Sequence, residues 1–212
     1  MHPPWAFRGD DLSRVFALSD GIFAFSMTLL VLSLAIPVGT HGPAVRAYLL
    51  SAPFLNSLYA YAITFFVIFA WWRGHNIVFS YIRSYDRRLL QINIVFLLLI
   101  AILPFATEAL NASGSNPAGV VFFASLEVAT GLTQGLLWVY ACGPGKLAAP
   151  GLPKAWEEYI ALTNFVVPAI FAVSIPLAFY QVSYAEYLWA LIFVVPFLIR
   201  RRSQTRDEGS AA

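Results

Sequence analysis

Residues 14–37 read RVFALSDGIFAFSMTLLVLSLAIP, and this stretch decides the fold of the chain. No charged residue occurs between Gly21 and Pro37, so the stretch can cross a lipid bilayer as a helix. Two charges nevertheless accompany it, Asp20 within the stretch and Arg14 at its edge. A carboxylate near the membrane core costs several kcal/mol and is rarely present without a partner or a function. Asp20 is therefore the first candidate functional residue.

The composition extends this interpretation to the whole chain. Of the 212 residues, 59% are hydrophobic and 11% are charged, which is typical of an integral membrane protein with several spans. The single cysteine, Cys142, cannot form a disulfide within the chain. Neither H-E-x-x-H nor a paired Cys/His spacing is present, and no nucleophile–base spacing is recognisable. We therefore expect no catalytic residues, no metal ligands, no cofactor and no enzymatic activity.

Charged residues and Pro/Gly clusters divide the chain into six apolar blocks. Each block is near or above the ~20 residues that cross a bilayer as a helix, the last one only marginally. Long runs without alternation argue against transmembrane strands. The sequence therefore predicts an all-α integral membrane protein, with one six-helix transmembrane domain over residues 1–202 and a disordered cytoplasmic tail over 203–212. The six predicted spans cover residues 11–36, 54–82, 87–110, 117–141, 156–180 and 185–200.

Lysine and arginine lie mainly on one side of these six spans. The opposite loops carry only Arg46, and Arg73 lies near the inner end of the second span. By the positive-inside rule, this asymmetry places both termini in the cytoplasm. The basic residues of the predicted cytoplasmic side are Arg8, Arg14, Arg83, Arg87, Arg88, Lys146, Lys154, Arg200, Arg201, Arg202 and Arg206.

The first span has distinct faces when each residue is placed about 100° from the last. Apolar residues line up along one face of the helix and form a stripe, and a second face carries small residues. Asp20 lies about 140° from Phe25 around the helix axis. Lipid or bundle contact explains the stripe, close helix packing explains the small residues, and an internal polar network explains Asp20. The stripe contains Leu18, Ile22, Phe25, Leu29, Leu32 and Ile36, and the small face contains Ala17, Gly21, Ala24 and Thr28.

Residues of the second and third spans complete a recognisable pattern. The pattern comprises Arg14-x-x-x-Leu18-Ser19-Asp20-Gly21, then WWRGHN at residues 71–76 followed by Asp86 and Asn93, and LPFAT at residues 103–107. In this combination, residues 14–107 resemble the transmembrane protein 175 family, which are potassium channels of lysosomes with bacterial and archaeal relatives. The family hallmark is an Arg-x-x-x-Phe-Ser-Asp sequence, in which this chain has Leu18 in place of Phe.

The resemblance implies a homotetramer in lipid, because relatives of this size carry one six-helix unit and this chain has no internal repeat. It implies that the first span of each subunit lines a central pore for potassium ions, in the plasma membrane of a prokaryote. No TVGYG loop is present, so a carbonyl filter is not expected. Apolar side chains narrow the pore in this family, which makes Phe25, Thr28, Leu29 and Leu32 the implied pore-lining residues. The family more often has Ile or Leu at the position of Phe25.

The resemblance also gives Asp20 a structural role. In the family, the Arg, Ser and Asp of the first span bond to polar residues of the second and third spans. The matching residues here are Trp72 or His75, and Asn93. The implied network that holds the first span against its own subunit therefore consists of Arg14, Ser19, Asp20, His75 and Asn93.

Glu127 lies outside the resemblance, about midway along the fourth span. A membrane-buried glutamate suggests a functional site, although a hydrogen bond between helices is an equally ordinary role. The competing hypothesis is a proton-coupled secondary transporter that uses Asp20, His75 and Glu127 as a relay. No pair of broken helices or inverted repeat supports it. Neither hypothesis involves nucleic acid as a partner.

Overall fold

The computed structural model describes residues 8–9 and 12–192 and shows an all-helical protein. Five of the described helices are long and apolar enough to cross a membrane, and they confirm the first five predicted spans. The predicted sixth span begins within the short last helix and continues outside the described residues, as does the predicted tail. The helices are α1 (Ser13–Leu29), α2 (Pro43–Leu49), α3 (Ala52–Ser80), α4 (Arg87–Ser113), α5 (Pro117–Cys142), α6 (Lys154–Tyr180) and α7 (Val182–Leu188).

Helix boundaries follow from local chemistry. The carboxylate of Asp86 accepts a hydrogen bond from the backbone N–H of Leu89 at 2.8 Å and so caps α4. The side chain of Asn116 does the same for α5, accepting from the N–H of Ala118 at 2.9 Å, and Pro117 occupies the first helical position. These caps explain why charged and Pro-containing segments separated the spans so clearly in the sequence.

The first span departs from the expected single helix to Ile36. α1 ends at Leu29, and one turn of 3-10 helix, Leu30–Ser33, completes the span. The hydroxyl of Ser33 donates to the carbonyl oxygen of Leu30 at 2.7 Å within this turn. Pro37 disfavours helical geometry at the residue before it, so the helix cannot continue to that point. The 100° step therefore applies only as far as Leu29.

The hydrophobic core lies between α5 and its neighbours. α5 packs against α4 on one side and α6 on the other, while α1 packs against α4 and α3. Side chains from six helices, all except α2, fill the main cluster, including Phe23, Ile68, Phe96 and Phe123. Gly131 permits a close approach of α5 to α6, because a Cβ there would lie 2.7 Å from the ring of Pro168.

Two small features join the loops at one end of the bundle. A two-residue antiparallel ladder pairs β1, Arg8–Gly9, with β2, Tyr85–Asp86. The N–H of Arg83 donates to the carbonyl oxygen of Leu147 at 2.9 Å, so the loop after α5 joins the same end. This ladder and α2 are not predicted by the sequence analysis. The ladder and the bond from Arg83 to Leu147 bring together β1, the loop between α3 and α4 and the loop between α5 and α6, at the end opposite α2.

Candidate functional site

The outer face of α1 carries exposed apolar side chains. Phe25 and Leu32 are 70% and 71% exposed, and Leu18, Leu29 and Ile36 are each about half exposed. Ile22 differs from the predicted stripe, because it is half-buried against the main core. This chain therefore leaves most of the stripe uncovered by its own described residues.

The small-residue face of α1 is also open. A Cβ placed on Gly21 would meet no atom within 4 Å, and Ala17, Ala24 and Thr28 are exposed. The hydroxyl of Thr28 donates to the carbonyl oxygen of Phe25 at 2.9 Å, which leaves its oxygen lone pairs directed away from the helix backbone. No helix in the described part of this subunit occupies the groove. A small-residue face of this kind allows close approach of another helix.

The inner face of α1 carries a buried polar network. Ser19 is fully buried, and its hydroxyl donates to the carbonyl oxygen of Val15 at 2.9 Å. The side-chain amide of Asn93, on α4, donates to that hydroxyl at 3.4 Å. The amide oxygen of Asn93 lies 2.9 Å from Nε2 of His75, on α3. The network therefore ties α1, α3 and α4 together through three side chains.

Aromatic rings enclose the histidine of this network. The ring of His75 stacks on Phe79 with centroids 4.3 Å apart and lies parallel to Phe96 at 5.5 Å. Phe23 of α1 meets it edge-on at 5.7 Å. In the orientation in which the Asn93 amide nitrogen faces Ser19, the amide oxygen accepts from the N–H at Nε2 of His75. The packing fixes the position of the imidazole as firmly as the hydrogen bond does.

Asp20 lies at the border between the two faces of α1. Its carboxylate accepts a hydrogen bond from the indole N–H of Trp72, on α3, at 2.8 Å. The carboxylate remains exposed on the subunit surface. Arg14, six residues earlier, is exposed and makes no hydrogen bond or ion pair with the described residues. The structure thus brings Ser19, His75 and Asn93 into one network, joins Asp20 to Trp72 separately, and leaves Arg14 apart from both.

A second carboxylate is bound by the tryptophan next to Trp72. Glu127 of α5 is fully buried, and its Oε2 accepts from the indole N–H of Trp71 at 2.7 Å. Two consecutive tryptophans of α3 therefore bind carboxylates on two different helices, Asp20 on α1 and Glu127 on α5. The sequence analysis did not pair Glu127 with any residue. Two adjacent indole donors within one span could have suggested buried acceptors, but the spacing along the chain does not identify Glu127 as one of them.

The three residues of the hypothetical proton relay have separate partners. Glu127 bonds to Trp71, Asp20 to Trp72 and His75 to Asn93, with no hydrogen bond between these pairs in the described structure. The described residues also contain no group of three or more His, Cys, Asp or Glu side chains that could hold a metal ion. The chemistry that the site offers is therefore an apolar outer surface on a helix anchored by polar contacts on its inner side.

The known proteins to which this chain is similar are potassium channels. The family model of the endosomal/lysosomal potassium channel TMEM175 matches residues 14–104. A potassium channel of Streptomyces collinus is 32% identical over 145 residues, covering 66% of this chain and 69% of that protein. A potassium channel of a Chryseobacterium species is 25% identical over 189 residues, covering 86% and 92%. Among solved structures, a lysosomal potassium-selective channel TMEM175 homologue from Chamaesiphon minutus has a TM-score of 0.71 at 24% identity, covering 90% of this chain and 96% of that one.

Proposed function

This chain belongs to the TMEM175 potassium channel family, and from that premise we propose that it forms a potassium-preferring cation channel. The observation that carries the proposal is the outer face of α1, where Phe25 is 70% exposed on a helix whose opposite face is buried. The curated relatives are channels, which supports permeation rather than catalysis. Potassium ions are then the permeant species, and the protein needs no cofactor for this activity.

The channel is a homotetramer with α1 of each subunit around a central pore. The open groove at Gly21 supports this assembly, because a bundle helix with a small-residue face can accept a neighbouring helix closely. Each subunit forms one transmembrane domain over residues 1–202, and residues 185–200 supply its sixth span. Residues 203–212 form a cytoplasmic tail after this domain. An even number of spans returns the chain to the side on which it began.

The apolar side chains of α1 form the constriction. Phe25, Leu29 and Leu32 project from the outer face, and Thr28 lies between them with a hydroxyl. A ring of such side chains from four subunits excludes water when narrow, which raises the free energy of a hydrated cation in the pore. This device works without the backbone carbonyl filter of other potassium channels. Widening or rotation of α1 then opens the pathway.

The inner network holds α1 against its own subunit. The bonds among Ser19, Asn93 and His75 and the bond from Trp72 to Asp20 support this role, because they join α1 to α3 and α4 without facing the outer stripe. Arg14 lies at the cytoplasmic end of α1, apart from these bonds among the described residues, and its place in the set rests on the family resemblance. Ion coordination is not assigned to any of these residues.

In the proposed orientation, the protein lies in the plasma membrane of a prokaryotic cell and both termini lie in the cytoplasm. Described basic residues at the end shared by β1, β2 and the α5–α6 loop support this, since cytoplasmic loops are enriched in Lys and Arg. At the opposite end the loop helix α2 carries only Arg46. The bacterial sources of the curated relatives support the same location.

The test is a reversal potential under bi-ionic potassium/sodium conditions, with purified protein in a planar bilayer. A channel that prefers potassium gives discrete currents that reverse towards the potassium equilibrium potential. A flux that appears only under a pH gradient, without discrete currents, would contradict the proposal and favour a proton-coupled transporter. Native mass spectrometry of the same preparation measures the assembly independently, and any stoichiometry other than four would contradict the tetramer.

A further inference from the structure

A crevice of about 420 Å³ lies between α3 and α6, away from the outer face of α1. Its walls are mostly apolar, and Phe66, Phe69 and Ile77 at its α3 side are also exposed on the subunit surface. In a membrane-spanning helix, exposed apolar side chains of this kind face lipid or another protein segment. The crevice therefore opens to the hydrophobic surroundings of the bundle.

An incompletely bonded pair of amides lies in this crevice. Gln134 of α5 and Asn164 of α6 both line it and are only 1% and 6% exposed. The amide nitrogen of Gln134 donates to the amide oxygen of Asn164 at 3.1 Å. The oxygen of Gln134 and the nitrogen of Asn164 are buried without a hydrogen-bond partner in the described structure. One acceptor and one donor are thus available side by side, and leaving both unmet inside a membrane protein is costly.

A cation lines the same crevice. Arg73 lies seven residues before the end of α3, which corresponds to a depth of about 10 Å along the helix. It makes no ion pair with any described residue, and an arginine at such depth normally extends towards an anion or the headgroup layer. The next residue, Gly74, lets the side chain of Gln134 lie against α3, because a Cβ there would be 2.7 Å from the amide nitrogen of Gln134.

We propose that this crevice binds an anionic phospholipid whose headgroup carries a hydroxyl. The phosphate accepts hydrogen bonds from the guanidinium of Arg73 and the free amide N–H of Asn164, and the hydroxyl donates to the free oxygen of Gln134. An acyl chain lies along the apolar wall formed by Phe66, Phe69 and Val167. Guanidinium groups bind phosphate in a bidentate fork, and the apolar wall selects a lipid over free phosphate.

Native mass spectrometry of the purified protein tests the site with phosphatidylglycerol and phosphatidylcholine of equal chain length. We expect phosphatidylglycerol to be retained about tenfold more strongly than phosphatidylcholine, since a charge-assisted hydrogen bond accounts for a difference of that order. This preference should disappear in Arg73→Gln, which removes the cation facing the anionic headgroup, and in Gln134→Leu, which removes the acceptor of its hydroxyl. Arg83→Gln is the matched control, because Arg83 is an exposed cation in the loop after α3 and does not line the crevice. Equal retention of both lipids, or unchanged preference in the two crevice variants, would overturn the proposal.

Cross-linking tests for other occupants of the crevice. In a Cys142→Ala background, Thr163→Cys places a thiol on the crevice wall, and a second cysteine is introduced in turn at each position of residues 196–200, beyond Ile192, which itself lines the crevice. We expect no disulfide with Thr163→Cys. An intrachain disulfide would show that the C-terminal segment fills the crevice, and an intersubunit disulfide would show that a second copy does. Either outcome overturns the lipid assignment, and neither depends on whether the protein conducts potassium.

Discussion

The two faces of α1 differ from those of a soluble amphipathic helix, because apolar side chains lie on both faces and buried hydroxyls lie on one. The outer face presents Phe25 and Leu32 with about seven-tenths of their surface exposed, whereas the inner face buries the hydroxyls of Ser19 and Ser26. In a soluble protein the phenyl ring would be inside and the hydroxyls would face water. The difference teaches that exposure on a single subunit must be interpreted against the membrane and the assembly around it. The inner face packs within the subunit, and the outer face is left uncovered by the described residues of the subunit.

The most severe test of the inner face is Asn93→Leu. This change keeps the branching of the side chain, with a larger volume, and removes the donor to Ser19 and the acceptor for His75. We expect the free energy of unfolding to fall by about 3 kcal/mol, because each buried polar group left without a partner costs about 1–3 kcal/mol. Thermal unfolding in detergent, followed by size-exclusion chromatography, measures the loss.

Asn76→Leu is the matched control for that change, since Asn76 is a partly buried asparagine next to His75. It should leave the unfolding temperature nearly unchanged. Equal destabilisation by both substitutions would show that the Asn93 network has no special role in holding α1.

The bond between Glu127 and Trp71 extends the comparison to the far side of α3. In Glu127→Leu the buried indole N–H loses its acceptor, and we expect a loss of about 2 kcal/mol in the free energy of unfolding. Glu127→Gln retains a carbonyl acceptor and should unfold and conduct almost like the unsubstituted protein. Thermal unfolding and bilayer currents of both variants provide the measurement. Loss of ion flux in a well-folded Glu127→Gln protein would indicate a proton-carrying carboxylate instead.

We expect substitutions on the outer face of α1 to change the potassium current rather than the free energy of unfolding. Phe25→Ala should raise the resting potassium conductance about tenfold, because a barrier lowered by about 1.4 kcal/mol raises a rate by that factor. Leu29→Ala should have a similar or smaller effect. Single-channel and macroscopic currents in planar bilayers measure the change. Ile94→Ala is the control, since Ile94 is 52% exposed on α4 and does not belong to the stripe.

The smallest effect is expected at the border of the two faces. Trp72→Phe removes the indole N–H that bonds Asp20 while keeping an aromatic ring against the core. Because the carboxylate is exposed, we expect a loss of only about 1 kcal/mol in the free energy of unfolding. The resting conductance should shift more visibly than the unfolding temperature if this bond helps to set the rotation of α1. An unchanged conductance would limit Trp72 to packing.

Sequence patterns were sufficient for the five described long helices because charge, proline and asparagine mark their ends locally. Asp86 and Asn116 are examples, since each caps the helix that follows it. The end of α1 was less predictable, because the 3-10 turn after Leu29 depends on a local hydroxyl bond that helical periodicity does not contain. α2 and the pairing of β1 with β2 were missed, because short elements give weak patterns.

The candidate site, too, was predictable from the sequence only in part. The stripe containing Phe25 and Leu29 follows from the spacing along one helix, and its exposure agrees with that spacing. The pairing of Glu127 with Trp71 joins residues 56 positions apart, and no periodicity could reveal it. Ile22 shows the limit of helical periodicity as a predictor, because the neighbouring helices determine whether a residue at the edge of a stripe is buried.

The most direct test of the central claim is thiol modification of the outer face during current recording. In a Cys142→Ala background, Phe25→Cys and Leu29→Cys channels are exposed to a charged, water-soluble methanethiosulfonate reagent, with Ile94→Cys as the exposed control outside the stripe. If the outer face lines the permeation pathway, the reagent blocks potassium current at both stripe positions and leaves the control unaffected. Full potassium current after treatment at both stripe positions would contradict the account and place this face of α1 against lipid.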